Sequence, residues 1–579
     1  MKRLKEKKMR FFSGLSDGFS QAGRGLYDIA LILQIGILSA VFGLSFILTV
    51  EFVRAPDRVD VFLEYPSYRT PTLLFLLAFA VTGVALLLLS NMLSFLSEKK
   101  TILAVFFATF IAQIIWIASL SLTNYWYADS ISLMRSADAI INHDLSKFDP
   151  SSCAFKDVVG TAECIFKPDL YKGNLYQYFS WYPFQSGPLL WYILVFTVFG
   201  SYNVLAFQLV NAAFVSGIAV LLTRMANKCG LQKRGVQLLA ILVISCIPLL
   251  MYSAFVYTNA VGVFWGLLAL NIAASAFSES STAKSALLLV LAFMAGAIGI
   301  LIKSTYIIFL IAIAIIGILR VLYCFKNWPM LLSLPLLVLS NFVSKIPLAI
   351  LEQVTGQKYG SGMPMSAWVV IGLREEPPTG PGWWTSIAIK EYQRSGGDYT
   401  AQTAHLKATL SSLLSSFAND PAGSVSFFVR KIATEWAEPT FQTALYSSQG
   451  EHIVSGGLER FLLAGRGYKI MIGFDNVMQS MVYFLALIAI FVVLLRSVRH
   501  KETCNPMIQL LTVSFLGGFI CYVFWEAKSV YTLPFYLLLL PLAALGGQYV
   551  MDYAEPIFRR IGRNLHVALS GKVSALRRS

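Results

Sequence analysis

The sequence predicts an all-α polytopic membrane protein, and three observations carry that prediction. Apolar runs of about 20 residues, the length a helix needs to cross a bilayer, recur along all 579 residues. Charged side chains make up 13% of the chain, against about 25% in a typical soluble domain. The runs are continuous, whereas barrel strands would alternate in polarity. The mean hydropathy of +0.65 agrees.

The predicted spans, in order, are 27–50, 72–95, 101–123, 203–225, 236–254, 260–277, 286–302, 305–324, 329–347, 478–496, 507–525 and 531–550. The start, MKRLKEKKMR, is basic, but the first apolar run is too long and too far in for a cleavable signal. The net charge of +15 is spread over short segments between spans: Lys2 to Arg10, Lys99-Lys100, Lys228 to Arg234, Arg320 to Lys326, Arg496 to Lys501 and Arg559 to Arg578. A nucleic-acid interface would gather its basic residues into one stripe, so none is expected. Cationic loops sit on the cytoplasmic side, and a cytoplasmic N-terminus puts every basic cluster there. Residues 1–100 then hold the N-terminus and two leading spans. Residues 101–347 form a transmembrane core with an external loop at 124–202, and 348–477 form a second external segment. Residues 478–550 carry the last spans, and 551–579 form a basic cytoplasmic tail. The apolar stretch 188–199 is too short to cross and is expected to lie flat at the outer interface. Helical patterning appears near 400–418 and 422–437.

Cys153 and Cys164 are the two cysteines on the external loop, and an oxidising compartment suggests a disulfide between them. Ionisable residues are nearly absent from the predicted mid-membrane positions. Those near the membrane gather at outer ends of spans: Asp129, Lys303, Lys345, Glu526 and Lys528. An ion-coupled transporter places carboxylates near the midplane, so this distribution suits an enzyme acting on a lipid-linked phosphate at headgroup level.

Asp129 follows a span and the aromatic run Tyr125-Trp126-Tyr127. Sugar transfer to a hydroxyl needs a base, and a carboxylate in a partly dry cavity suits that role. Asp129 or Ser130 would equally serve as a helix cap before Ile131. Tyr182-Pro183-Phe184-Gln185 leads back toward the membrane. It offers either substrate contacts from Tyr182 and Gln185 or only an aromatic interface belt. Lys303 can meet a phosphate or snorkel. In Trp525-Glu526-Ala527-Lys528-Ser529-Val530-Tyr531, Lys528 and Tyr531 can neutralise and hydrogen-bond a leaving phosphate, or Glu526 and Lys528 simply pair. There is no His-Glu-x-x-His, Walker or Gly-x-Ser-x-Gly motif, and the five histidines are scattered, so no metal site is expected.

Taken in order, these segments resemble the GT-C superfamily of integral-membrane glycosyltransferases. They are most similar to family-39 (protein mannosyltransferase-like) proteins of Gram-positive bacteria. The resemblance runs over about 100–550. It comprises Asp129-Ser130, Tyr182 to Gly200, Tyr257-Thr258-Asn259, Lys303-Ser304-Thr305, Met363 to Leu373 with Trp368, Lys431-Ile432 to Trp436, and Trp525 to Tyr531. It implies a GT-C fold and inverting transfer of a sugar from a polyprenyl-phosphate donor, with no further cofactor, to an acceptor hydroxyl. Asp129 would be the base. Lys303, Lys528 and Tyr531 would meet the donor phosphate, and Tyr182, Gln185, Trp368 and Glu526 would meet substrate. The expected partners are the lipid-linked donor, a cell-envelope glycan acceptor and membrane lipids, at the outer face of a bacterial cell membrane. Protein mannosyltransferases carry Asp-Glu where this chain has Asp129-Ser130, so their protein acceptor is not implied. The rival classes are a lipid-linked-glycan flippase or transporter and a polysaccharide polymerase or ligase.

Overall fold

The computed structural model describes residues 2–55, 62–125, 127–150, 175–452, 457–500 and 505–555. Its apolar runs are helices. Ten are long and apolar enough to cross a membrane: Ser20–Ile47, Leu73–Phe95, Glu98–Leu120, Val204–Lys228, Asn259–Ser278, Thr282–Ile302, Ser304–Tyr323, Asn327–Thr355, Arg466–His500 and Pro506–Phe524. Two bent pairs, Lys233–Ile244 with Ile247–Ala254 and Ser529–Leu537 with Leu539–Glu555, raise the count to twelve if each is one span. Pro534 lies just before the bend of the last pair, where its missing N–H weakens the helical ladder, and Pro248 opens the short helix after the bend of the other. Each expected run thus corresponds to a helix or a bent pair, and the protein is a multi-pass helical membrane protein.

With twelve crossings, the connections after the first, third, fifth, seventh, ninth and eleventh spans share one end of the bundle. That end collects the polar mass. The first span packs most extensively against Arg466–His500, where Ser480 donates to Ser45 Oγ at 2.8 Å. The leading segment is therefore built into the bundle and is not an appendage.

The polar end departs from an all-α expectation in two places. Thr49–Arg54 pairs antiparallel with Phe62–Arg69, and Leu122–Tyr125 pairs antiparallel with Gly450–His452. Both strand pairs emerge where a helix stops. Ser121, with φ of 45°, turns the chain out of Glu98–Leu120 into the second pair. The first hairpin was unexpected because Glu51, Arg54, Glu64 and Pro66 break up any apolar signal there. The second pair ties the loop that carries Asp129 to the segment 348–477.

Helices Tyr399–Asn419 and Pro421–Trp436 form where patterning predicts them, each opened by an aspartate whose side chain accepts a backbone N–H. The helix Arg466–His500 begins earlier than the expected span at 478. Its first turns stay helical because Met471, Ile472 and Asp475 are buried against the polar end. Asp475 is an ionisable side chain on a span-forming helix that the apolar pattern did not reveal.

Candidate functional site

Asp129 sits in the first turn of Ala128–Ile141. It is not the cap: Tyr127 holds that position, and no side chain caps the helix. The carboxylate is turned to its neighbours, with Tyr178 Oη donating to Asp129 Oδ1 at 2.9 Å. Gln185 stands nearby and favours the charged form of the carboxylate. The Gln185 Oε1 accepts from the Tyr257 hydroxyl at 2.7 Å. Burial pushes the Asp129 carboxyl above the ordinary range. Tyr178, Lys528, Lys303 and Gln185 pull the other way by favouring the charged form.

Ser130 is fully buried and has its own task. Its Oγ donates to Val256 O at 2.7 Å, and Tyr192 Oη donates to the same carbonyl at 2.6 Å. Asn211 and Gln208 hold the neighbouring Phe255 and Ala254 carbonyls at 2.8 and 3.1 Å. The turn that presents Tyr257 is thus fixed from three helices, and Ser130 is a structural pin rather than a second acid.

The helix Ser186–Phe199 is amphipathic in its packing. Leu189, Tyr192, Val195 and Phe196 are buried, while Leu194, Val198 and Phe199 are exposed. A Cβ on Gly187 would stand 1.9 Å from Leu301 O, so only glycine lets this helix meet the end of Thr282–Ile302. Gln185 and Lys303 both meet Tyr257. The Lys303 ammonium lies 4.8 Å from the Tyr257 ring centre and 5.2 Å from that of Tyr531. Burial lowers it to about 8 against the pull of Asp129 and Glu526.

Glu526 and Lys528 occupy the turn between the last two spans, both nearly inaccessible. Burial raises Glu526 to about 7, with Lys528 opposing and Asp129 and Glu64 reinforcing. Burial alone would lower the Lys528 ammonium, but nearby negative groups, Glu64 first, carry it well above the usual lysine range. Lys528 does not pair with Glu526. It donates to Glu64 Oε1 at 3.1 Å and to Tyr127 Oη at 2.9 Å. Tyr127 Oη in turn lies 2.5 Å from Glu64 Oε1. Glu64 belongs to the Phe62–Arg69 strand, and no motif in the sequence marks it.

Aromatic rings wall one side. Tyr182 meets Tyr178 at 5.6 Å and Trp368 at 6.4 Å between ring centres. Trp368 packs edge-on to Phe184 at 5.6 Å and stacks on Trp525 at 6.3 Å.

Of the residues singled out in the sequence, Asp129, Gln185, Lys303, Glu526, Lys528 and Tyr531 therefore meet at one site, with Tyr182 and Trp368 at its wall. Lys345 does not join them: it is exposed, with its ammonium over the Phe342 ring. Cys153 and Cys164 lie outside the described residues. Tyr178, Tyr257 and Glu64 are additions. Only Tyr257 carried a signal, as part of the Tyr257-Thr258-Asn259 turn. Among the described residues, no group of three or more His, Cys, Asp or Glu is placed to hold a metal ion.

The fold and site define a multi-pass helical membrane protein with a buried acid–base cluster at one end of its bundle. Comparison of the sequence with protein-family models and with curated proteins gives no match.

Proposed function

We propose that the chain is a glycosyltransferase of the GT-C type. It would move a hexose or pentose from a polyprenyl-phosphate donor onto a hydroxyl of a cell-envelope glycan, at the extracytoplasmic face of a bacterial cell membrane. The observation that carries this reading is the convergence of Asp129 with Lys303 and Lys528 at the mouth of a helical bundle. A buried carboxylate and two cations interact there, and in this reading the carboxylate takes a proton while the cations meet a headgroup phosphate.

The acceptor oxygen attacks the anomeric carbon while Asp129 takes the hydroxyl proton. The bond from the anomeric carbon to the phosphate oxygen breaks, and its electron pair leaves with the phosphate. Lys303 and Lys528 offset the charge that develops there. Attack opposite the leaving group inverts the anomeric centre. Trp368 and Tyr182 offer ring faces to a sugar or isoprenoid.

The test is incubation of the purified protein with radiolabelled polyprenyl-phosphate sugar and envelope glycan. Label should leave the lipid and appear in the glycan. Label that crosses a vesicle membrane still on its lipid would instead mark a flippase. Transfer only from diphosphate-linked oligosaccharide would mark a polymerase or ligase.

The pH profile should carry a signature of Lys303. The ammonium assists only while protonated, so activity is present below about 8 and is lost as pH rises through that value. Lys303→Arg keeps its charge at any working pH. The falling limb of kcat/KM should therefore move at least one pH unit upward in that variant, while the rising limb, carried by Asp129, stays in place. A falling limb that does not move would remove Lys303 from the reaction.

A further inference from the structure

We propose that Glu64 is a positioning residue of this site. It holds Lys528 and the Tyr127 hydroxyl while the site is empty, and it releases Lys528 to an incoming phosphate. The proposal rests on the phosphate-donor reading above.

Three donors from three separate parts of the chain converge on one oxygen. Tyr127 Oη, Lys528 Nζ and Gln442 Nε2 lie 2.5, 3.1 and 3.5 Å from Glu64 Oε1. Tyr127 is two residues before Asp129, so Glu64 links the proton acceptor's helix to the turn that bears the cation. The two lysines of the site thus start from different states. Lys303 lies over the faces of two tyrosines, whereas Lys528 is already neutralised by a carboxylate.

Burial and anchoring are also divided unequally. The Lys528 side chain is 10% accessible and its turn is anchored from below: Trp525 O accepts from Lys431, and Ala527 N donates to Gly382 O at 2.7 Å. The Glu64 side chain is 29% accessible and stands on a two-stranded hairpin whose register shifts between Phe52 and Arg54. Anionic phosphate at Lys528 would face Glu64 as a like charge. The carboxylate is the partner with room to withdraw, and after transfer its return would help expel the carrier phosphate. Lys528 is thereby kept from sitting unpaired and buried between turnovers, a costly state for a cation.

The probe is farnesyl monophosphate, a short isoprenyl phosphate, titrated into purified full-length protein in detergent. Glu64→Gln keeps an acceptor oxygen for Tyr127 but removes the charge that competes with phosphate. It should bind the probe about fivefold tighter than the wild type, the upper end of what a partly exposed ion pair contributes. With labelled donor, its KM should fall by a similar factor, and kcat should fall as well because the leaving phosphate is retained. A purely structural glutamate would raise KM when removed. Glu64→Asp retains the charge and controls for hairpin packing, and it should bind no tighter than the wild type. Equal or weaker binding by Glu64→Gln, at unchanged thermal stability, overturns the role given to Glu64. Failure of both the wild type and Glu64→Gln to bind the probe overturns the phosphate-donor reading itself.

Discussion

Asp129→Asn is expected to reduce sugar transfer by about 10²- to 10⁴-fold, the usual contribution of a positioned general base, while leaving the fold intact. Asparagine has the same shape and keeps an oxygen to accept from Tyr178. It cannot take a proton at neutral pH. Stability should not suffer. The folded-state carboxyl is raised by burial, so the wild type is most stable where Asp129 is protonated and loses that contribution as pH rises. A neutral isostere avoids the loss. Turnover of labelled donor and thermal unfolding of the same preparation check both halves. Full turnover in a stably folded variant would sink the assignment. Tyr178→Phe gives a finer reading. Removing a donor to the charged form raises Asp129 further, so the rising limb of kcat/KM should shift to higher pH with little change in its plateau.

The spans were legible because lipid imposes a simple rule: a helix must stay apolar for about 20 residues. That rule located all twelve candidate crossings, including the two bent ones. It is silent about what happens between crossings. The hairpin carrying Glu64 has neither the length nor the alternation of an independent strand pair. It exists because Ser448 and Gln449 of the distant segment hold Phe62 through its backbone N–H and carbonyl. Asp129 was legible as an acid after a span. Whether it caps its helix or turns to the ionisable cluster depends on Tyr178, 49 residues away, and on the turn pinned by Ser130. Lys303 and Lys528 could be placed at the same end by counting spans. Their different surroundings, two tyrosine faces for one and a carboxylate for the other, come from tertiary packing that leaves no periodic trace.

The largest stability effect is expected at Lys431, which lies outside the Asp129–Lys303–Lys528 cluster and supports its last turn. This side chain is fully buried in the helix Pro421–Trp436, and its ammonium donates to Gly372 O at 2.6 Å and Trp525 O at 2.7 Å. The packing there admits no slack: a Cβ on Gly372 would stand 2.3 Å from the carbonyls of Phe524 and Trp525. Lys431→Met fills a similar volume but leaves two buried carbonyls without donors, a loss of about 2–6 kcal/mol at 1–3 kcal/mol for each orphaned group. Thermal unfolding should show the drop. Transfer should fall with it, because the turn bearing Glu526 and Lys528 loses its anchor. Glu435, one helical turn on, is buried with neither carboxylate oxygen hydrogen-bonded, and burial raises it to about 8. A raised carboxyl contributes stability that is full below its unfolded value of 4.5 and is lost as pH climbs toward 8. Glu435→Gln should therefore unfold at a higher temperature than the wild type at pH 8, and at nearly the same temperature at pH 5. If Lys431→Met unfolds like the wild type, the anchor is not what holds the turn. The position of Lys528 would then rest on the Ala527–Gly382 hydrogen bond together with Glu64 and Tyr127.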